Sequence, residues 1–123
     1  MEKIPHGLRV LVVDDELLIR WSISETLARA GHTVIEADDG AGAIRALAEP
    51  VDAVVLDYRL PDSNDLSLLA NVRRLAPSSA VILMTAYGTP EVKQGALRLG
   101  AYRVMDKPFE MNDLEALLVQ ACA

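Results

Sequence analysis

Several things are scarce in this chain of 123 residues. It has one cysteine, Cys122, so no internal disulfide can form and a reducing compartment fits. Aromatic residues make up 4% of the chain, and Trp21 and Tyr58 stand alone, which suits packing positions better than a cofactor box. The two histidines, His6 and His32, lack partners at metal-ligand spacing and are expected at the surface. Positive charge is also short: 12 Lys and Arg against 18 Asp and Glu leave a net charge of −6. Phosphate binding needs clustered Lys and Arg, so direct nucleic-acid contact by this segment is not expected. Long apolar runs are absent; the longest, Ala80–Met84, has five residues, far short of the ~20 needed to span a bilayer. The first residues, Met1-Glu2-Lys3-Ile4-Pro5-His6, are followed by no apolar signal-peptide region. The expected location is the cytoplasm, with no membrane contact. Gly40-Ala41-Gly42 follows an apolar run, but Arg45 stands where a dinucleotide fingerprint needs its third glycine.

Against this, 51% of the residues are hydrophobic, and at this length one domain with a true core is expected. Short apolar runs alternate with helical patterns along the whole chain. Strands are expected at Val10–Val13, Thr33–Ala37, Ala53–Leu56, Ala80–Met84 and Tyr102–Met105. Helices are expected at Leu17–Ala30, Ala41–Ala48, Leu66–Leu75, Pro90–Leu99 and Leu114–Ala121. Gly31 suits the stop of the first helix, and Asp38 or Asp39 the cap of the second. Pro77 closes the third, Thr89-Pro90-Glu91 starts the fourth, and Asn112 with Glu115 resembles a capping box for the fifth. Five βα units whose central runs are continuously apolar imply an α/β fold with a parallel sheet covered on both faces.

In open α/β sheets ligands bind beyond the carboxyl ends of the strands. The first strand ends in Asp14-Asp15-Glu16, the third in Asp57, the fourth in Thr85-Ala86 and the fifth in Asp106-Lys107-Pro108. With the first and third strands as neighbours, three aspartates converge on one crevice, faced by Thr85 and Lys107. Carboxylates that close repel one another unless a cation sits between them. Oxygen ligands without His or Cys select Mg²⁺, or a similar ion such as Mn²⁺. A carboxylate can take a phosphoryl group as a nucleophile, with a metal and a lysine neutralising the transferred charge. Each residue alone has an ordinary reading: Asp15 as a helix cap, Asp57 and Thr85 as turn residues, Lys107 as a solvated lysine. Their placement at the ends of four different strands is what makes the set specific.

These motifs, Val12-Val13-Asp14-Asp15-Glu16, Leu56-Asp57-Tyr58-Arg59-Leu60-Pro61, Met84-Thr85-Ala86-Tyr87-Gly88 and Lys107-Pro108-Phe109, closely resemble the receiver domains of two-component response regulators. The resemblance runs from about residue 9 to residue 121. Ile19-Arg20-Trp21 and Thr85-Ala86-Tyr87-Gly88-Thr89 look like the subfamily of nitrogen-regulatory activators that work with the alternative sigma factor. The resemblance implies a doubly wound, flavodoxin-like five-stranded sheet in the order 2-1-3-4-5. It implies phosphorylation at Asp57, and metal ligation by Asp14, Asp15, Asp57 and the Arg59 backbone carbonyl. Thr85 and Lys107 would bind the phosphoryl group with the backbone N–H groups of Tyr58 and Ala86, and the Lys107–Pro108 bond would be cis. The implied partners are a sensor histidine kinase and an output domain, with the chain as the N-terminal part of a longer regulator of transcription; a stand-alone receiver is equally compatible with these residues. A homodimer through the fourth helix, fifth strand and fifth helix is implied as well.

The chain departs from the family pattern at several points. Val104 stands where an aromatic residue usually couples to the switch threonine, so the expected switch is muted or uses Tyr87 or Tyr102. Tyr102 is expected on the same strand face as Val104. Tyr87 is expected at the rim, where its ring shields the phosphoryl group from water. Asp65 occupies a turn position that is commonly glycine, with a left-handed backbone expected. Arg103 replaces an acidic residue of many relatives. Three other readings remain open: an interaction module that works without phosphorylation, a phosphatase of the aspartyl-phosphate class, and a flavin carrier. The second is opposed by Arg59, where that chemistry wants an acid two residues after the nucleophile.

Overall fold

The computed structural model describes residues 7–123. Ten elements alternate along the chain: β1 (Arg9–Val13), α1 (Leu17–Arg29), β2 (Thr33–Ala37), α2 (Gly40–Ala46), β3 (Ala53–Asp57), α3 (Ser67–Leu75), β4 (Ala80–Thr85), α4 (Pro90–Arg98), β5 (Arg103–Asp106) and α5 (Met111–Ala121). The strands form one parallel sheet in the order β2-β1-β3-β4-β5. No described helix is long and apolar enough to cross a membrane.

Strand periodicity divides the core in two. Leu11, Val13, Val54, Leu56, Val81 and Leu83 face one side with Ala43, Leu69, Val72 and Ala96 of α2, α3 and α4. Val10, Val12, Val55, Ile82 and Met84 face the other with Ile23 and Leu27 of α1 and Leu114 and Leu118 of α5. The central strands are therefore apolar at Val10–Val13, Ala53–Leu56 and Ala80–Met84, because both pleat faces are dry. All the strands run in one direction, so their carboxyl ends share one edge, where chain polarity delivers the polar residues.

Local signals explain most boundaries. Asp39 caps α2 by accepting from the Gly42 N–H at 2.7 Å, and Thr89 caps α4 through the Val92 N–H at 3.2 Å. Gly31, after α1, has φ +94°, a left-handed turn that glycine adopts without strain. Four expectations need correction. Asp15 caps nothing; Glu16 is the N-cap of α1 and offers no side-chain bond. The Asn112–Glu115 capping box does not form, because α5 starts earlier, at Met111, and Asn112 lies inside its first turn. Glu115 instead meets His32. That histidine is buried, its Nδ1 accepting from the Leu8 N–H at 3.1 Å and its Nε2 lying 3.0 Å from Glu115 Oε2. A satisfied histidine can enter a core, and spacing in sequence gave no sign of partners 24 and 83 residues away. Asp65 has no positive φ; its carboxylate accepts from the Ser67 N–H at 2.9 Å and so serves the start of α3. His6 lies outside the described residues.

Candidate functional site: an acidic crevice at the carboxyl edge of the sheet

Asp14 and Asp15 leave the end of β1, and Asp57 is the last residue of the adjacent β3. One carboxylate oxygen from each of the three lies within 4.8 Å of the others. Asp14 is fully buried and Asp57 is 7% exposed, whereas Asp15 faces solvent. Lys107, just past β5, reaches into the cluster: its Nζ lies 2.8 Å from Asp14 Oδ2 and 3.4 Å from Asp57 Oδ1. The lysine is aimed by the Lys107 N–H bond to the Thr85 carbonyl, 2.9 Å, and the Lys107–Pro108 peptide is cis.

The electrostatics follow from burial. Desolvation, then the neighbouring Asp14 charge, raise the Asp57 carboxyl from 3.8 to about 6, against the pull of Lys107. Burial alone would push the Lys107 ammonium down, but its hydrogen bond to Asp14 and the charges of Asp57 and Asp14 outweigh that, and the net shift is upward. One lysine therefore serves two carboxylates, with a third close by. That surplus of negative oxygen, with no nitrogen or sulfur donor, fits a hard divalent cation. Asp14, Asp15 and Asp57 are the side chains that would hold it.

Thr85 ends β4 and is 2% exposed. Its hydroxyl accepts from the Tyr87 N–H at 3.2 Å, which leaves the hydroxyl hydrogen available to a ligand. Gly88 keeps the following loop close: a Cβ there would sit 2.8 Å from Thr85 Cγ2 and 2.9 Å from Lys93 Cε. Ala86 is exposed at the strand exit. The expectation for Tyr58 needs correction. Its N–H donates to the Met84 carbonyl at 2.8 Å, extending the sheet by one bond, and is not free for a ligand. The N–H facing Asp57 is that of Arg59, 3.5 Å from Oδ1. The extra sheet bond depends on where β3 ends, which motif spacing does not reveal.

The loop after β3 is anchored beyond Arg59. Leu60 and Ser63 exchange backbone bonds of 2.8 and 3.2 Å, and Asp62 accepts from the N–H groups of Gly40 and Ala41 at 2.7 and 3.0 Å. Arg59 itself stacks over the Tyr87 ring at 5.9 Å, tying the loop after β3 to the loop after β4. Tyr87 is 77% exposed at the rim. Val104 pairs in register with Leu83 and packs, half-buried, against the core on the α2–α4 side. Tyr102 lies before β5, not within it, is 38% exposed, and carries Arg103 over its ring at 5.7 Å.

Comparison with known proteins places this arrangement in a family. Residues 10–119 match the response regulator receiver domain family, and the chain belongs to it. The chain is 36% identical over 113 residues to the DNA-binding transcriptional regulator NtrC of Escherichia coli K12, covering 91% of this chain and 24% of that protein. The structure of NtrX from Brucella abortus in complex with ADP superposes with a TM-score of 0.86 at 31% identity, over 94% of this chain and 27% of that one. A response regulator from Burkholderia pseudomallei with a phosphorylated aspartic acid, calcium ion and citrate gives 0.84 at 27% identity, over 90% of this chain and 66% of that one. The chain thus spans about a quarter of the length of the curated relatives it matches. It is a receiver domain of two-component signalling with the expected flavodoxin-like fold.

Proposed function

We propose that the chain accepts a phosphoryl group on Asp57 from the phosphohistidine of a sensor kinase and passes the signal to an output domain of a longer regulator. The observation that carries this reading is the convergence of three carboxylates and Lys107 on one crevice. In the transfer, an Asp57 carboxylate oxygen attacks phosphorus. The P–N bond to the donor imidazole breaks, and its electron pair leaves with that nitrogen. A bound Mg²⁺, or Mn²⁺, would neutralise charge on the phosphoryl oxygens. It would be held by Asp14, Asp15, Asp57 and the Arg59 carbonyl.

The remaining roles belong to the chain itself. Lys107 neutralises a phosphoryl oxygen once its partner Asp57 is modified. Thr85 donates its free hydroxyl hydrogen, and the N–H groups of Ala86 and Arg59, with Arg59 replacing Tyr58, bind the other oxygens. Tyr87, held by Arg59, shields the acyl phosphate from water. Movement of Thr85 and Lys107 toward the new charge then biases the face of α4, β5 and α5, where a second copy would pair. Val104 is too short to follow Thr85 as an aromatic ring would, so that bias is muted or carried by Tyr87 or Tyr102. Beside the acids, Leu17, Leu18 and Trp21 of α1 are 66, 77 and 57% exposed. Apolar exposure of that extent suits the docking of the donor protein. The similarity to NtrC supports transcriptional control as the output.

Intact-mass spectrometry with Mg²⁺ and acetyl phosphate tests this reading. One added phosphoryl group is expected, absent in Asp57→Asn and in metal-free protein. Failure to bind Mg²⁺ together with no adduct would overturn it in favour of an interaction module.

A further inference from the structure

Arg20 presents a difficulty for a cation site. Its guanidinium, 15% exposed, lies against the turn that carries Asp14 and Asp15, where a positive charge opposes metal binding. Its contacts explain what it does there. Nη1 donates to the Asp14 carbonyl at 2.7 Å, and the Arg20 backbone N–H donates to the Glu16 carbonyl at 3.0 Å. The second bond is the first backbone bond of α1 and is made by any residue but proline at this position, so what arginine adds is the guanidinium's hold on the carbonyl just before Asp15. Nε in turn donates to Glu36 Oε1 at 2.9 Å, on β2, which fixes the guanidinium plane and offsets its charge.

The other polar groups of Asp14 are held as well. Its N–H donates to the Ala37 carbonyl at 3.1 Å, Oδ1 accepts from the Glu16 N–H at 2.8 Å, and Oδ2 faces Lys107. Among the described residues nothing restrains the Asp15 carboxylate in this way, and it takes its direction from the backbone. We propose that Arg20, braced by Glu36, is a positioning residue that sets the Asp14–Asp15 turn for cation binding. This rests on the reading of those aspartates as metal ligands. An ordinary exposed ion pair would add little to stability and nothing to the site. The fork is essential, because a lysine keeps the charge but cannot bond Glu36 and the Asp14 carbonyl from two separate nitrogens.

The two accounts differ in sign. If Arg20 acts only as a charge, removing it tightens Mg²⁺ binding. If it positions the turn, removing it loosens binding despite the lost repulsion. Arg45 supplies the control, since it lines the same surface pocket and makes no ion pair or side-chain hydrogen bond among the described residues. Calorimetric Mg²⁺ titration at neutral pH would compare wild type, Arg20→Lys, Arg20→Met and Arg45→Met, with metal-free thermal unfolding to check the fold. Arg20→Lys and Arg20→Met are expected to bind about tenfold more weakly, in line with losses of metal-ligand supports. Arg45→Met is expected to bind as wild type or slightly tighter. Modification by acetyl phosphate in Arg20→Lys is expected to recover at saturating Mg²⁺, a defect in cation affinity and not in the transfer step. Wild-type affinity in Arg20→Lys, or tighter binding in Arg20→Met, would overturn the proposal while leaving the site reading intact. No Mg²⁺ binding by wild type would overturn both.

Discussion

Asp57 stands where its own charge is costly. Its carboxyl holds a proton up to about pH 6 in the folded chain, against 3.8 when unfolded. Between those values the native state binds more protons than the unfolded state, so this residue lowers stability as pH rises through the window. Metal-free Asp57→Asn should therefore gain on wild type as pH rises from 4 to 7, by on the order of 1–2 kcal/mol after solvent screening is allowed for. Urea unfolding of both proteins across that range measures it. A pH-independent difference would mean that the Asp57 charge is not strained. Asp62 and Asp65 run in the opposite sense. Backbone N–H groups of Gly40 and Ala41 hold Asp62 below its usual value, and the Ser67 hydroxyl and N–H hold Asp65 down. Their contribution is present above 3.8 and fades as pH falls, which is why the comparison must be with Asp57→Asn and not with wild type alone.

Among the helices, α4 is the least anchored. Ala96 is its one buried residue, whereas Ile23 and Leu27 tie down α1 and Leu68, Leu69 and Val72 tie down α3. Its link to β5, the Lys93–Asp106 pair at 2.8 Å, is 39 and 57% exposed and contributes little. Amide hydrogen exchange should be faster in α4 than in α1 and α3, because local opening follows buried contact. Equal protection would place the mobile element elsewhere. The central strands, by contrast, were legible as apolar runs of four or five residues, and every site aspartate, Thr85 and Lys107 could be placed at a strand end. Chain direction in a parallel sheet makes that inference sound. What stayed hidden depends on the third dimension. Whether Tyr58 continues the sheet, whether Glu115 caps its own helix or reaches His32, and whether Arg20 grips the Asp14 carbonyl are set by neighbours far off in sequence. Tyr102 shows the same limit, because alternation places it on a face only if the strand extends that far.

For the molecule as a whole, the net charge of −6 and the crowded acids make the metal-free domain a poised state. A ligand that binds the native chain and not the unfolded one adds RT ln(1 + [L]/Kd) to stability, about 1.4 kcal/mol at ten times Kd. For a domain of this size that corresponds to a rise of roughly 5 °C in Tm. Mg²⁺ should produce that rise at pH 7.5 in wild type. It should produce much less in Asp15→Asn, which removes an exposed ligand without disturbing the core. The effect should also shrink at pH 4.5, where the proton on Asp57 competes with the cation. Mg²⁺ would thus offset the stability that the metal-free chain loses as Asp57 ionises. Scanning calorimetry at the two pH values, with Na⁺ at matched ionic strength as the control, separates site binding from general screening of the negative surface. An equal rise with Na⁺, or one that survives Asp15→Asn and acid pH unchanged, would assign the stabilisation to surface charge and remove the acidic crevice from the explanation.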